Sequence, residues 1–462
     1  MITIDELRAR VDQEFEQVLA DLESLVRIPS VSAASFDQST LDESAAAVAA
    51  LFAGAGVQAR VTSSETPDGK PGRPAVLGHR EGEDGAPVVL LYAHHDVQPA
   101  GEPETWDQED PFEPVVRGDR MFGRGAADDK AGVVAHLGAI RALGEHLRAG
   151  VRVFIEGEEE VGSPSFVPFL REHHADLAAD LALVLDSTNW KVGTPALTTT
   201  LRGLVEAQVE VRVLEHAVHS GMFGGPILDA PTLMCRLLAT LHDEEGNVAI
   251  EGLTGYDDAA LEYPEEDFRR DAGVLPGVEL AGSGSLASRL WTRPALSVIG
   301  FDSTSVAQRS NTIQPSCRAA LSLRIAPGED PARAYSLLEQ HLVAHAPRGA
   351  SVELVQGELG PAFRSPEDSD SMRLARWALT TAWGTNAVET GVGGSIPFIA
   401  DLAAEFPGAE VLVTGIEDPD SRAHSGNESI HLGELRGAMF AEALMLARLS
   451  GTLAEDPGVG GR

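Results

Sequence analysis

Four short apolar runs constrain the fold of this chain more than any other feature. They are residues 87–93 (PVVLLYA), 151–155 (VRVFI), 181–185 (LALVL) and 411–414 (VLVT). Each is too short for a buried helix and lacks the alternation of a half-exposed strand. Each therefore reads as a strand covered on both faces. Helical periods lie between them. One spans 130–148, with Val133, Val134, Leu137, Ile140 and Leu143 on one face, and another spans 371–383. A further acidic amphipathic helix runs over residues 1–27, with Leu7, Val11, Phe15, Leu22 and Leu25 along its apolar side. Buried strands alternating with helices predict an α/β domain, a mixed, mostly parallel sheet sandwiched by helices.

The middle of the chain has a different period. Residues 204–214 (LVEAQVEVRVL) alternate apolar and polar, as a strand with one wet face does. A helix is predicted at 232–242, strands at 295–299 and 316–325, a helix at 331–345 and a strand at 351–355. This strand–helix–strand–strand–helix–strand order predicts a ferredoxin-like α+β sandwich. With 462 residues the chain exceeds what one core usually covers. The expected organisation is a catalytic domain made of 1–197 and 361–462, with a second domain inserted at 198–360.

Charge and cysteine content narrow the function. Asp and Glu number 71 against 35 Lys and Arg, a formal charge of −36. Nucleic-acid binding needs a basic face, so no nucleic-acid partner is expected. No apolar run approaches the roughly 18 residues that span a bilayer, and no membrane partner is expected either. The first helix lacks the basic start and apolar centre of a signal peptide. Cys235 and Cys317 make no disulfide framework, which points to a reducing, cytoplasmic setting. Any metal site must be built from His and carboxylates.

Ligands of open α/β sheets bind beyond the carboxyl ends of the strands. Here each apolar run is followed by candidate metal ligands. After 87–93 come His94, His95 and Asp96. After 151–155 come Glu158, Glu159 and Glu160. Asp186 follows 181–185, and His424 lies in a loop beyond 411–414. Residues 123–130 (GRGAADDK) put Asp128 in a glycine-rich loop just before a helix. Taken singly, a buried His or an EEE run is ordinary; their joint placement at one sheet edge is not. His94 and Asp96 sit two apart at a strand end and lean to one side. They read as a ligand and the carboxylate that fixes its tautomer, while His95 points elsewhere. Glu159 and Glu160 are adjacent, so their side chains diverge. One can bind metal while the other takes a proton from the attacking water and hands it to the leaving amine.

Eight blocks occur in an order that resembles a known family: 25–32 (LVRIPSVS), 93–97 (AHHDV), 123–132 (GRGAADDKAG), 156–164 (EGEEEVGSP), 219–225 (HSGMFGG), 311–315 with Arg324, 393–397 (GGSIP) and 423–428 (AHSGNE). The chain resembles the aminoacylase, carnosinase and glutamate-carboxypeptidase family of co-catalytic metallopeptidases. EGEEEVGSP and GGSIP are most similar to its dipeptidase branch. The resemblance implies two divalent ions per subunit, Zn2+ first and Mn2+ or Co2+ as alternatives. His94 and Asp186 would hold one ion and Glu160 and His424 the other. Asp128 would bridge them, with a cis peptide to Asp129. Glu159 would be the general base, with Asp96 supporting His94. The inserted domain would be a lid through which two chains form a homodimer. His219 and Asn311 would act across the dimer, His219 on the developing oxyanion. Arg324 would grip the substrate's C-terminal carboxylate, completed by Gly394 and Ser395. The expected function is hydrolysis of dipeptides or short peptides with a free C-terminal carboxylate, by a metal-bridging hydroxide. One alternative is a deacylase of N-acyl amino acids or a related small amide. Another is a non-catalytic peptide-binding protein on the same fold, against which the full set of five ligands and Glu159 weighs.

Overall fold

The computed structural model describes residues 1–366, 368–394 and 397–454. The chain forms two compact units. The first takes Met1–Thr199, Ser365–Glu389 and the chain from Asp401 onward; the second takes Thr200–Arg364 and Thr390–Ala400. The segment 390–400 was expected in the catalytic part. It joins the second unit because the Arg202 N–H donates to the Val392 carbonyl (3.2 Å) and Arg202 Nε to that of Gly393 (3.1 Å).

The strands that matter are β1 (Gln58–Thr62), β2 (Ala75–Arg80), β3 (Val88–His94), β4 (Gly150–Glu156), β5 (Leu181–Val184), β6 (Ala196–Leu201), β7 (Gly203–Arg212), β8 (Ala295–Asp302), β9 (Ser316–Ile325), β10 (Ser351–Gly360) and β11 (Glu410–Thr414). The helices are α1 (Ile4–Val26), α2 (Ser39–Gly54), α3 (Lys130–Leu143), α4 (Phe166–Glu172), α5 (Ala230–Leu238), α6 (Pro331–Ala344), α7 (Asp370–Trp383) and α8 (Leu432–Leu449).

In the first unit the sheet order is β1-β2-β4-β3-β5-β11-β6. The four apolar runs are its centre. β4, β3, β5 and β11 pair in parallel, while β2, β1 and β6 add antiparallel flanks. Successive residues face opposite layers. Val89, Leu91 and Ala93 of β3 join Val151, Val153 and Ile155 of β4 in the large core that α1, α3 and α8 cover. Tyr92 and Phe154 point the other way, where their rings meet Phe166 and Phe169 of α4 at 4.7–6.2 Å between centroids.

Helix α3 departs from the expected amphipathic period. Every residue of it except Arg141 is buried, because α1 and α8 pack across its outer side. A Cβ on Gly138 would lie 2.7 Å from Met439 and 2.8 Å from Val18, so glycine is what lets three helices approach there. The helix stops at Leu143 rather than 148. Gly144 follows with φ 53°, a conformation that favours glycine.

In the second unit β8-β9-β7-β10 form an antiparallel sheet. Val205, Val209, Leu321, Leu323 and Ile325 face α5 and α6 in its core. This is the expected ferredoxin-like order. β8 lies at the sheet edge with Val298, Ile299 and Phe301 exposed. No helix among the described residues is long and apolar enough to cross a membrane.

Candidate metal centre

Parallel pairing of β3, β4, β5 and β11 sends their carboxyl ends to one edge of the sheet. The candidate ligands of the first unit meet there. His94 closes β3, and its Nε2 lies 3.0 Å from Asp128 Oδ1 and 4.0 Å from Asp186 Oδ2. The other Asp128 oxygen, Oδ2, lies 3.0 Å from His424 Nε2, which is also 3.0 Å from Glu160 Oε2. Two groups result: His94, Asp128 and Asp186, then Asp128, Glu160 and His424. Within each, the donor atoms lie within 4.8 Å of one another. Asp128 belongs to both. Its peptide bond to Asp129 is cis. Glu159 Oε2 is 4.0 Å from His94 Nε2, and its side chain keeps 23% exposure while that of Glu160 keeps 2%.

Neighbouring groups hold His94, Asp128 and Glu160. His94 Nδ1 lies 3.0 Å from the Asp96 carbonyl and 3.5 Å from Asp96 Oδ1. The Asp96 carboxylate does more than was expected of it. It accepts from the backbone N–H groups of Glu159 (3.2 Å) and Glu160 (3.1 Å), so one buried residue aims His94 and both glutamates. Glu158 turns away and accepts from the N–H groups of Ser165 (2.6 Å) and Arg73 (3.0 Å). His95 Nε2 donates to the Pro74 carbonyl (2.8 Å); burial pulls it down to about 4, so it is a neutral structural residue. Asp129 caps α3 through the Gly132 N–H (3.1 Å) and accepts from the His94 N–H (3.3 Å). Lys130 Nζ donates to the carbonyls of Leu25 (2.8 Å) and Ile28 (2.7 Å), tying the loop to the end of α1.

Three supports were not expected from the sequence. Glu428 is fully buried and accepts from the N–H groups of Gly125 (3.0 Å), Ala127 (2.9 Å) and Asp128 (3.1 Å). Arg124 pairs with Glu428 (2.5 Å) and donates to the Ser425 carbonyl (3.2 Å), so it joins the Asp128 loop to the His424 loop. Gln98 brackets Glu160: its N–H donates to Oε1 (3.2 Å), and its Nε2 to Oε2 (2.9 Å) and to the carbonyl (3.0 Å). Glu428 and Arg124 stand inside two of the eight blocks. Nothing in the spacing of residues so far apart marks them as partners.

The electrostatics fit a cation site. Burial pushes Asp186 up to about 7, and the charges of Asp128 and Glu160 push it the same way. Burial also raises Glu159 and Glu160, and neighbouring carboxylates add to it. Asp128 is the exception. Against the raising effect of burial, its contacts with His424 and His94 hold it below the ordinary carboxylate range. Carboxylates crowded this closely repel one another, and a divalent cation among them relieves the repulsion. Two imidazoles and three carboxylates are a fitting donor set for such ions.

The remaining expected site residues lie in the second unit. His219 and Thr312 pair across a short antiparallel ladder, and the Ser220 N–H donates to the Asn311 carbonyl (2.9 Å), so His219 and Asn311 are neighbours. His219 is exposed, and its Nδ1 accepts from the Gly221 N–H (3.0 Å). Arg324 lies in β9, and Gly394 in the loop after Val392. Ser395 lies outside the described residues.

Replacing Gln98 by Ala removes every side-chain hydrogen bond it gives Glu160 and leaves the backbone contact. Zinc affinity of the Glu160–His424 group, titrated by calorimetry, should fall about 10–100-fold, while the His94–Asp186 group keeps its own.

The cysteinylglycine-S-conjugate dipeptidase of Corynebacterium striatum is 36% identical over 378 residues, covering 80% of this chain and 83% of that protein. The Cys-Gly metallodipeptidase of Candida albicans is 31% identical over 381 residues, covering 77% of each. The structure of the Saccharomyces cerevisiae di-peptidase Dug1p shares the fold, with a TM-score of 0.75 at 22% identity, over 97% of this chain and 98% of that one. The sequence model of peptidase family M20/M25/M40 matches residues 90–447, a span that contains every proposed ligand, and the chain belongs to that family.

Proposed function

We propose that this protein is a two-metal dipeptidase that cleaves dipeptides or short peptides with a free C-terminal carboxylate. One observation carries the reading: two donor groups share the carboxylate of Asp128 at the carboxyl edge of the parallel sheet. His94 and Asp186 would hold one ion and Glu160 and His424 the other, with Asp128 shared between them. Zn2+ suits these donors best, with Mn2+ and Co2+ tolerated. The ions, when bound, polarise the scissile carbonyl and acidify a water toward neutrality.

The chain's own residues do the rest. Glu159 stands 4.0 Å from His94 Nε2 without belonging to either donor group, a position open to a general base. It takes the proton of the attacking water and returns it to the leaving amine. Asp96 aims Glu159 and the ligands Glu160 and His94. Arg324 offers a planar fork to the substrate's carboxylate, and Gly394 and Ser395 are assigned to the same carboxylate site.

Residues 198–360 act as a lid and as the dimer contact. The exposed apolar edge of β8 supports this, because a bare edge strand is a template for pairing. His219, exposed in its own subunit, acts with Asn311 on the partner's substrate as an oxyanion donor. Both cysteines are free, which supports a cytoplasmic setting. By their names, the relatives from Corynebacterium and Candida act on cysteinylglycine conjugates and Cys-Gly, which makes dipeptides ending in glycine the first substrates to test.

Purified protein loaded with Zn2+ should hydrolyse such dipeptides in a screen against N-acetyl and N-succinyl amino acids; turnover of the acylated compounds alone would establish the deacylase instead. Glu159→Ala should retain metal while its kcat falls about 10²–10⁴-fold; a variant as fast as the parent would place the base elsewhere. His219→Ala should fold, dimerise and bind metal, with kcat lower by about 10²–10³-fold. An unchanged kcat would remove the role across the dimer.

A further inference from the structure

The second unit contains a second arginine beside Arg324 that the family motifs did not single out. Arg202 lies at the junction of β6 and β7 and is 8% exposed. Its Nε donates to the Gly393 carbonyl (3.1 Å), and its Nη1 lies at longer range from those of Arg289 (3.3 Å) and Arg293 (3.4 Å). Among the described residues, Nη2 has no acceptor. Among the described residues, neither Arg202 nor Arg324 has a carboxylate within ion-pair distance.

The register explains how the two meet. Arg324 of β9 stands across from Leu204 of β7, two residues from Arg202. Cross-strand partners and their diagonal neighbours share a face. Leu323 and Ile325 face the core, so Arg324 projects from the face turned away from α5 and α6. Burial, and the like charge of Arg324, pull Arg202 down to about 10. Among the described residues, two arginines, one of them buried, thus stand near one another on one face of the sheet with no carboxylate at ion-pair distance. Burying an unpaired cation costs free energy that an arriving anion recovers.

Gly393 adjoins Arg202, and Gly394 follows it in the chain. A Cβ on Gly393 would lie 2.9 Å from Arg202 Nη2, so a side chain there would displace the guanidinium. A Cβ on Gly394 would meet nothing within 4 Å, so the space next to it is open.

We propose that Arg202 is a second substrate-binding arginine, forming with Arg324 a two-guanidinium clamp that takes one α-carboxylate oxygen each. This rests on the dipeptidase reading and deepens it: a clamp built for a free carboxylate selects against C-terminally amidated or extended peptides. Three carbonyl dipoles around Arg202 offset the positive charge that one carboxylate leaves over.

The test is the affinity of alanylglycine against that of alanylglycine amide, measured by calorimetry on Zn2+-loaded Glu159→Gln protein so that turnover does not interfere. The acid should bind about 10–100-fold tighter than the amide. Adding Arg202→Gln should cut that ratio about tenfold, because the acid loses far more affinity than the amide. A ratio that Arg202→Gln does not move would overturn the clamp, because a merely structural lesion weakens both ligands together. Should Arg202→Gln fail to fold, Gly393→Ala is read the same way: its methyl group displaces Nη2, the ratio should fall, and an unchanged ratio again overturns the proposal. Wild-type turnover of alanylglycine is measured alongside. Its absence would contradict the dipeptidase reading alone, since the affinity ratio is obtained without catalysis.

Discussion

Asp128 gives one carboxylate oxygen to His94 and the other to His424, each at 3.0 Å, and the rest of the first unit serves to hold that carboxylate still. Its own N–H is bound by Glu428, and Glu428 is bound by Arg124. The next residue, Asp129, caps α3 and accepts from His94, and Lys130 anchors the turn to α1. A short carboxylate shared by two donor groups has little slack. Two donor groups can share it only if strands β3 and β4 and two distant loops deliver their donors to within about an ångström, which the hydrogen bonds around them enforce.

The parallel sheet makes this delivery possible. In a parallel array all carboxyl ends lie on one edge, so residues that follow different strands converge without long excursions. The cost is burial of both faces, which the apolar runs and their helices meet. It also leaves several carboxylates in a poorly solvated place. Burial first, and then the charges of neighbouring carboxylates, push Asp186, Glu159 and Glu160 above the ordinary carboxylate range. The excess of acidic residues in the chain as a whole says much less, since most of them are solvated.

Much of this was legible in the sequence, for physical reasons that differ by element. β3, β4, β5 and β11 are uniformly apolar and bounded by polar loops, so their type and burial are plain. The ferredoxin-like unit was legible through the period of two in β7 and β9. The flanking strands β1 (QARVT) and β2 (AVLGHR) have no such signal, being short and mixed. The end of α3 was misplaced because apolar periodicity ran on past Gly144, whose backbone ends the helix. The five proposed ligands could be named because strand ends and ordered blocks mark them. Gln98, Arg124 and Glu428 could not, because a hydrogen bond between distant loops leaves no trace in local spacing. Arg202 was hidden for the same reason: only the β7–β9 register sets it beside Arg324.

The central claim is that two ions sit on either side of Asp128. X-ray absorption on the zinc-loaded protein tests it most directly, together with metal analysis of the same sample. The account predicts two ions per chain and a metal–metal scattering vector of about 3.5–4 Å, with mixed nitrogen and oxygen first neighbours. A single ion per chain, or two ions with no metal–metal vector, would contradict it.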